Sequence, residues 1–301
     1  MKAIYDIPAP AKLNLFLHIT GRRADGYHLL QSVFMLIDWC DTLHVELRTD
    51  GRISRLDVGS EGDLLLPEDD LTVRAAKALQ QACGTSLGAH ISLEKRIPSQ
   101  AGMGGGSSDA ASCLLALQRL WGVKLPRDEL LALALTLGTD VPFFLSGGHA
   151  WVEGVGELIT PIVLPAADFL VVKPPQGLST PSIFNSPMLK RDSETATIQG
   201  FAANNQRHVF GFGRNDLQPV AQEICPQIAQ SIDWMSGLRL EARMTGSGSA
   251  VFAPLPQSAV FAPLTHDVNG SAGANVDVPV HPDGWRVRKC SNLQAHPLVG
   301  W

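Results

Sequence analysis

The sequence predicts mixed strands and helices arranged as two domains or one large one, and three observations carry that expectation. The chain has 301 residues, enough to bury a sizeable core and to divide. Its first part holds both an apolar alternation of period 2 and runs with helical spacing. Past about Val163 the composition turns to Pro, Ser and Asn, which sets a boundary near residue 160.

Residues 11–19 open the pattern. Leu13, Leu15, Leu17 and Ile19 fall on one face of a strand and Lys12, Asn14, Phe16 and His18 on the other, so Lys12 and Asn14 point the same way. Asp25-Gly26 marks a turn, Tyr27-His28 follow, and an apolar stretch runs to Ile37. Thr42–Arg48 and Ala89–Lys95 read as further strands. Leu71–Cys83 carries Leu71, Ala75, Ala78, Leu79 and Ala82 at helical spacing. Ser107–Trp121 starts with serines suited to capping and buries Ala110, Ala111, Leu114, Leu117 and Leu120. Pro126–Leu137 opens with Pro126, Asp128 and Glu129 and stops at Gly138. Residues 174–206 read as a long loop with local turns, and Asp216–Met235 as helical pieces broken at Pro219 and Pro226. A strand, turn and strand span Thr245–Ala253, 254–284 is again loop-rich, and Trp285–Lys289 is a last strand.

Composition narrows the class. A net charge of −5 with scattered Lys and Arg argues against a nucleic-acid surface. The five cysteines are far apart and form no CxxC pair, which suggests neither a disulfide framework nor a zinc site and fits a reducing compartment. No apolar run is long enough to span a bilayer, and Lys12, Pro8 and Pro10 interrupt any signal-like stretch. The expectation is a soluble, cytoplasmic protein.

The strongest chemical signal is Pro98-Ser99-Gln100-Ala101-Gly102-Met103-Gly104-Gly105-Gly106-Ser107-Ser108. Its four glycines admit positive φ and close backbone approach, and the loop runs straight into a helix. Unpaired amides and the positive end of the helix dipole then converge on one point, which suits phosphate. No lysine follows the last glycine, so this is not GxxxxGK[ST]. GxGxxG fails because Ser107 takes the place of the third glycine, and GxSxG fails at both serines.

The loop belongs to an ordered set. With Pro10-Ala11-Lys12-Leu13-Asn14 before it and Met244-Thr245-Gly246-Ser247-Gly248-Ser249 after it, the chain resembles the GHMP kinase superfamily. Asp25-Gly26-Tyr27-His28, Thr139-Asp140-Val141-Pro142-Phe143-Phe144 and Thr180-Pro181-Ser182-Ile183-Phe184 narrow the resemblance. They point to the branch acting on a cytidine diphosphate-linked methylerythritol in non-mevalonate isoprenoid precursor synthesis. The likeness runs nearly the whole chain, to His296-Pro297-Leu298.

The resemblance implies an α+β fold of two domains, 1–160 catalytic and ATP-binding and 161–301 C-terminal, with the active site in the cleft between them. It also implies a left-handed βαβ crossover in the first domain, against the usual rule. The implied reaction moves the γ-phosphate of ATP to the 2-hydroxyl of the erythritol moiety, using Mg²⁺, with a small-molecule substrate as partner and neither nucleic acid nor membrane.

Phosphoryl transfer asks a protein mainly for positioning and charge stabilisation. By resemblance, Asp140 accepts the proton of the attacking hydroxyl and Lys12 keeps that carboxylate ionised while offsetting charge on the phosphate. Asn14 orients the substrate. Tyr27 and Phe184 sandwich the cytosine, His28 reads its edge, and Thr180 lies in the same pocket. Thr245, Gly246, Ser247 and Gly248 offer a second small-residue loop for the diphosphate, or a tight turn between strands. Lys95 borders the adenosine pocket or is a strand-edge lysine. Ser107 or Ser108 ligands Mg²⁺, or caps the helix; Asp140 can likewise be a helix cap.

Several positions depart from the family pattern. Gln100-Ala101 replaces glycines at the start of the loop, Asp109 stands where Asn is common, and Asp70 likewise, near the expected adenine pocket. Asp109 is expected to set a carboxylate near the polyphosphate, repelling nucleotide unless Mg²⁺ intervenes. Relatives acting on homoserine or mevalonate have no base to stack, which the DGYH and TPSIF segments disfavour. A regulator without catalysis is disfavoured by the intact Lys12 and Asp140.

Overall fold

A computed structural model describes residues 2–58, 69–203, 209–256 and 281–301. Most of the loop expected at 254–284, and 204–206 of the one expected at 174–206, lie outside the described residues. The elements run β1 (Ala3–Arg22), β2 (His28–Arg48), β3 (Ile53–Val58), α1 (Leu71–Cys83), β4 (Gly88–Glu94), α2 (Gly105–Trp121), α3 (Arg127–Leu137) and α4 (Val141–Ser146). They continue with β5 (Ala150–Glu153), β6 (Leu158–Pro161), β7 (Asp168–Lys173), α5 (Thr180–Phe184), α6 (Ile198–Ala203), α7 (Gln218–Ile224), α8 (Pro226–Gly237), β8 (Arg243–Met244), β9 (Val251–Pro254) and β10 (Arg286–Ser291).

Among the described residues the strands form two sheets, giving an α+β fold. In the first, long β2 pairs with β1 along its length and shares its other edge between β4 and β5, all antiparallel. β3 and β4 are parallel, with α1 in the connection between them. The second sheet has the order β10-β7-β9-β8 and is antiparallel throughout.

The packing follows from strand periodicity. One face of the first sheet (Leu36, Leu43, Val45, Ile91, Leu93) is covered by the apolar sides of α1 to α4. The opposite face of β1 and β2 meets Phe169, Val171 and Phe252 of the second sheet. The alternate residues Leu170, Val172 and Val251 turn outward onto α7 and α8, so β7 alternates between two cores with period 2.

The alternation expected over 11–19 holds only in part. Register shifts occur at 10–12 and 14–17, and both Leu15 and Phe16 pack in the central core while Leu17 and Ile19 belong to the outer one. These are bulges, and each frees backbone groups that find other partners. Lys12 N–H donates to Met103 O (3.0 Å), Arg243 Nη1 donates to Leu15 O (3.0 Å), and Ser32 Oγ donates to Phe16 O (2.5 Å). Phe16 therefore leaves the face it was expected to share with Lys12 and Asn14.

The first helix has the expected bounds, though Ala82 is exposed. Pro219 and Pro226 lie in the first turns of α7 and α8; they start these helices, where a missing N–H costs nothing, instead of breaking them. α2 begins inside the glycine loop with Gly104 as its cap (φ 71°), so Ser107 and Ser108 lie within the helix and cap nothing.

Candidate active site

The glycine loop is held by its neighbours before any ligand arrives. Gly102 (φ 70°) and Gly104 (φ 71°) need the left-handed region, which glycine alone adopts freely. A Cβ on Gly102 would strike Thr245 O, and one on Gly104 would come to 3.0 Å from Phe144 Cζ and 3.3 Å from Lys12 Cε. Gln100 O accepts Ser249 N–H (3.0 Å) and Ala101 O accepts Ala250 N–H (3.2 Å). The two small-residue loops, distant in sequence, thus lie against each other. Ala101 and Met103 are anchored in the core, Pro98 is buried, and Ser99 and Gln100 are exposed.

Lys12 sits on the wall of this loop with its side chain 4% exposed. A buried cation is tolerable only with partners. Its Nζ donates to Asn14 Oδ1 (2.6 Å), lies 3.5 Å from Asp140 Oδ2, and stands over the Phe34 ring at 4.7 Å. Asp140 precedes α4 with 28% of its side chain exposed and makes no capping bond, so the cap alternative is not realised. Asn14 is held at three points: Oδ1 accepts from Lys12, Nδ2 donates to Ser32 Oγ (2.9 Å), and its backbone N–H donates to Thr245 Oγ1 (2.8 Å). The side chain of Asn14 thus also holds Lys12 in place.

In the second loop, Thr245 N–H is spent on Ala250 O and Gly248 N–H on Thr245 O (2.9 Å). The Thr245 hydroxyl is buried against Asn14, and Thr180 Oγ1 and Ser247 Oγ meet at 2.7 Å. Thr245 and Gly248 shape this loop, and among the described residues the Gly246 and Ser247 amides have no partner.

Lys95 is not a strand-edge lysine. Its ammonium is enclosed between Asp41 and Asp109, with Asp109 Oδ2 at 2.6 Å. Asp41 also accepts the N–H groups of Arg96 (2.5 Å) and Ile97 (2.7 Å). The carboxylate of Asp109 therefore faces this lysine in the core and not a polyphosphate, which corrects the expected repulsion. Burial pushes the Asp109 carboxyl well above the ordinary range, with Asp41 adding to it against the pull of Lys95. Burial also opposes the Lys95 ammonium, but Asp109 and Asp41 outweigh it and hold its pKa above the usual value. The three residues tie the entry of the glycine loop to its exit. Asp70 is likewise structural: it caps α1 through Val73 N–H (3.0 Å) and pairs with Arg55 (2.6 Å).

The residues expected to recognise the base lie at the start of β2 and the end of α5. The His28 and Phe184 rings meet at 5.0 Å and 41°. Tyr27 is 60% exposed, so the ring against Phe184 is that of His28. Arg191, which no motif singled out, joins them: its Nε donates to His28 Nε2 (3.0 Å) and its Nη2 to Phe184 O (3.0 Å) and Ser186 O (2.8 Å). Burial lowers the His28 pKa, and the charges of Arg191 and Arg22 lower it further.

For Mg²⁺, no cluster of three or more His, Cys, Asp or Glu that could hold a metal exists among the described residues. That is compatible with a cation carried mostly by phosphate oxygens, which needs only one or two protein groups. Ser108 Oγ is buried without a partner, Ser107 Oγ lies 3.9 Å from a Cβ built on Gly138, and Asp140 is within two residues of that glycine.

The GHMP kinases N terminal domain family matches residues 70–148 and the GHMP kinases C terminal family residues 194–262. The chain is 73% identical to a 4-diphosphocytidyl-2-C-methyl-D-erythritol kinase of Polaromonas sp., covering 100% of this chain and 95% of that one. It is 57% identical to the same enzyme of Variovorax paradoxus, covering 100% and 99%. A crystal structure of 4-(cytidine 5'-diphospho)-2C-methyl-D-erythritol kinase superposes with a TM-score of 0.69 at 37% identity, covering 82% of this chain and 88% of that one. A homoserine kinase from Cytophaga hutchinsonii shares the fold at 16% identity, with a TM-score of 0.63 and 85% of each chain covered. The chain belongs to the 4-diphosphocytidyl-2-C-methyl-D-erythritol kinases, within the GHMP kinases.

Proposed function

We propose that this chain transfers the γ-phosphate of ATP to the 2-hydroxyl of 4-diphosphocytidyl-2-C-methyl-D-erythritol, giving the 2-phosphate and ADP, with Asp140 taking the hydroxyl proton. The observation that carries the reading is the Lys12–Asp140 pair at 3.5 Å against the wall of the glycine loop. A lysine here keeps Asp140 ionised for proton acceptance and offsets the charge that develops on the transferring group. The first amides of α2 and the loop 98–108 cradle the triphosphate. Asn14 and Ser32 hold Lys12 in register. Gly246 and Ser247 offer their amides to the substrate diphosphate. Tyr27 and Phe184 flank the cytosine, His28 reads its edge, and Thr180 closes the pocket beside Ser247.

Mg²⁺ bound between Ser107 or Ser108 and the triphosphate would supply charge neutralisation. We divide the chain into domains 1–160 and 161–301, and place the enzyme in the cytoplasm, acting on a small molecule and not on nucleic acid. No helix among the described residues is long and apolar enough to cross a membrane. The test is ADP release, measured by a coupled assay with the cytidine diphosphate substrate beside homoserine and mevalonate, each with and without Mg²⁺. Turnover confined to the cytidine substrate and abolished by chelation is expected. Equal turnover of homoserine or mevalonate would overturn the substrate, and full activity after exhaustive chelation would overturn the metal.

A further inference from the structure

We propose that Arg191 is a positioning residue that sets the tautomer of His28 and thereby makes the enzyme choose a cytosine over a uracil nucleotide. The inference rests on the functional reading above, which places a pyrimidine against His28.

Arg191 carries only donors and cannot lose its proton at working pH. Its Nε–H points at His28 Nε2 from 3.0 Å, so Nε2 must be the acceptor and cannot carry hydrogen. That excludes both the imidazolium and the tautomer protonated on Nε2. The remaining form has its proton on Nδ1, and among the described residues Nδ1 has no hydrogen-bond partner. The guanidinium is itself fixed by three carbonyls, Leu189 O (2.9 Å), Phe184 O and Ser186 O, so it holds its direction. One of those carbonyls belongs to Phe184, whose ring lies against the imidazole. Ring contact and tautomer are thus tied to one side chain.

A single N–H donor aimed at a pyrimidine edge separates the two bases. Cytosine N3 is a lone-pair acceptor, whereas uracil N3 carries hydrogen and would face the Nδ1–H donor to donor. A buried polar pair without a bond is the costly case, so the wrong base is rejected more than the right one is attracted. The same imidazole with its proton on Nε2 would present an acceptor at Nδ1 and tolerate uracil.

The experiment compares kcat/KM for the cytidine and uridine diphosphate-linked methylerythritols in the wild type, Arg191→Met, Arg191→Lys, His28→Asn and the double variant His28→Asn/Arg191→Met. The ¹⁵N resonances of His28 are recorded for each variant that keeps it, without substrate. We expect Nδ1–H in the wild type, mixed tautomers in Arg191→Met, and a cytidine-to-uridine ratio reduced there by roughly tenfold, equivalent to about 1.4 kcal/mol. Arg191→Lys, which retains a donor, should keep most of the ratio. In the His28→Asn background, Arg191→Met should leave the ratio unchanged, because its route is gone. An Arg191→Met enzyme that loses activity on both nucleotides in equal proportion, with His28 still in the Nδ1–H form, makes Arg191 a brace for α5 and overturns the inference. So does a ratio effect that persists without His28. A wild type that turns over neither nucleotide overturns the functional reading itself, a failure recognisable because no variant is involved.

Discussion

The proposed phosphoryl-transfer corner and the proposed base-recognition end are built on opposite plans. Around Lys12, the side chains of Asn14 and Ser32 bond buried partners, and two strand bulges and two interlocked loops hold the backbone. At the other end, Tyr27 is largely exposed, α5 has five residues, and one arginine joins His28 to three backbone carbonyls. The chemistry needs charges fixed to a fraction of an ångström before ATP arrives, since reorganisation during transfer would cost rate. Base binding tolerates a half-open pocket, because stacking energy depends on overlap more than on a single direction. Substitutions should therefore act on rate at the first region and on affinity at the second.

The largest expected break in that contrast is Asp140→Asn, which keeps size and removes the base. Its kcat should fall by roughly 10²- to 10⁴-fold, the scale of general-base catalysis, with the substrate Kd little changed. Near wild-type kcat would reduce Asp140 to a helix-end residue.

Acid comes next, and it strikes the rigid region. His149 Nδ1 accepts the N–H of Leu36, which stands opposite Lys12 in the sheet, and His296 Nδ1 accepts the N–H of Leu298. Both rings are buried and neutral, and burial lowers each pKa from 6.5 to about 4. Their stabilising contribution is complete above pH 6.5, where both folded and unfolded chains leave them neutral. It is lost as pH falls towards 4, because the unfolded chain takes up protons the folded one refuses. At about 1.4 kcal/mol per pKa unit the loss is at most about 3 kcal/mol for each ring. The urea midpoint should therefore drop between pH 7 and pH 5; an unchanged midpoint would discard the assignment.

Ser32→Ala removes the donor that satisfies the bulge carbonyl of Phe16 and the acceptor of Asn14 Nδ2. It should cost about 1–3 kcal/mol of stability and lower kcat through a misplaced Lys12, with affinity for the cytidine substrate preserved. Weakened CDP affinity with full kcat would place Ser32 in the wrong region.

The smallest effect is expected at the open end. Phe184→Ala should raise the Kd for the cytidine substrate about tenfold through loss of roughly 1–3 kcal/mol of stacking, while ATP affinity hardly moves. A lowered folding midpoint with both affinities reduced together would make Phe184 a core residue and erase the contrast.

How much of this was legible depends on how far each feature reaches along the chain. The glycine loop, the first helix with its bounds at Leu71 and Cys83, and the Pro126 and Gly138 that bound α3 are local features. Backbone freedom, period and capping chemistry act within a few residues, so sequence alone determined them. The pairing of Lys12 with Asn14 was legible for the same reason, since period 2 puts both on one face. The motifs also named Asp140 with Lys12 as its partner, and the two lie 3.5 Å apart.

Tertiary structure decided the rest. Phe16 left its expected face because a bulge depends on the register of the partner strand, which no alternation within β1 encodes. Lys95 and Asp109 became buried partners through Asp41, a residue 54 positions before the lysine, and Asp109 was thereby turned away from the phosphates. Ser32 and Arg191 carry no local signal, one sitting in an apolar strand and the other in a long loop. Each has a role only because folding places an acceptor beside it: the Phe16 carbonyl for Ser32, and His28 Nε2, 163 positions away, for Arg191. Short-range preferences set which segments form and where they end, while long-range hydrogen bonds, whose partners appear only after folding, set what their side chains do.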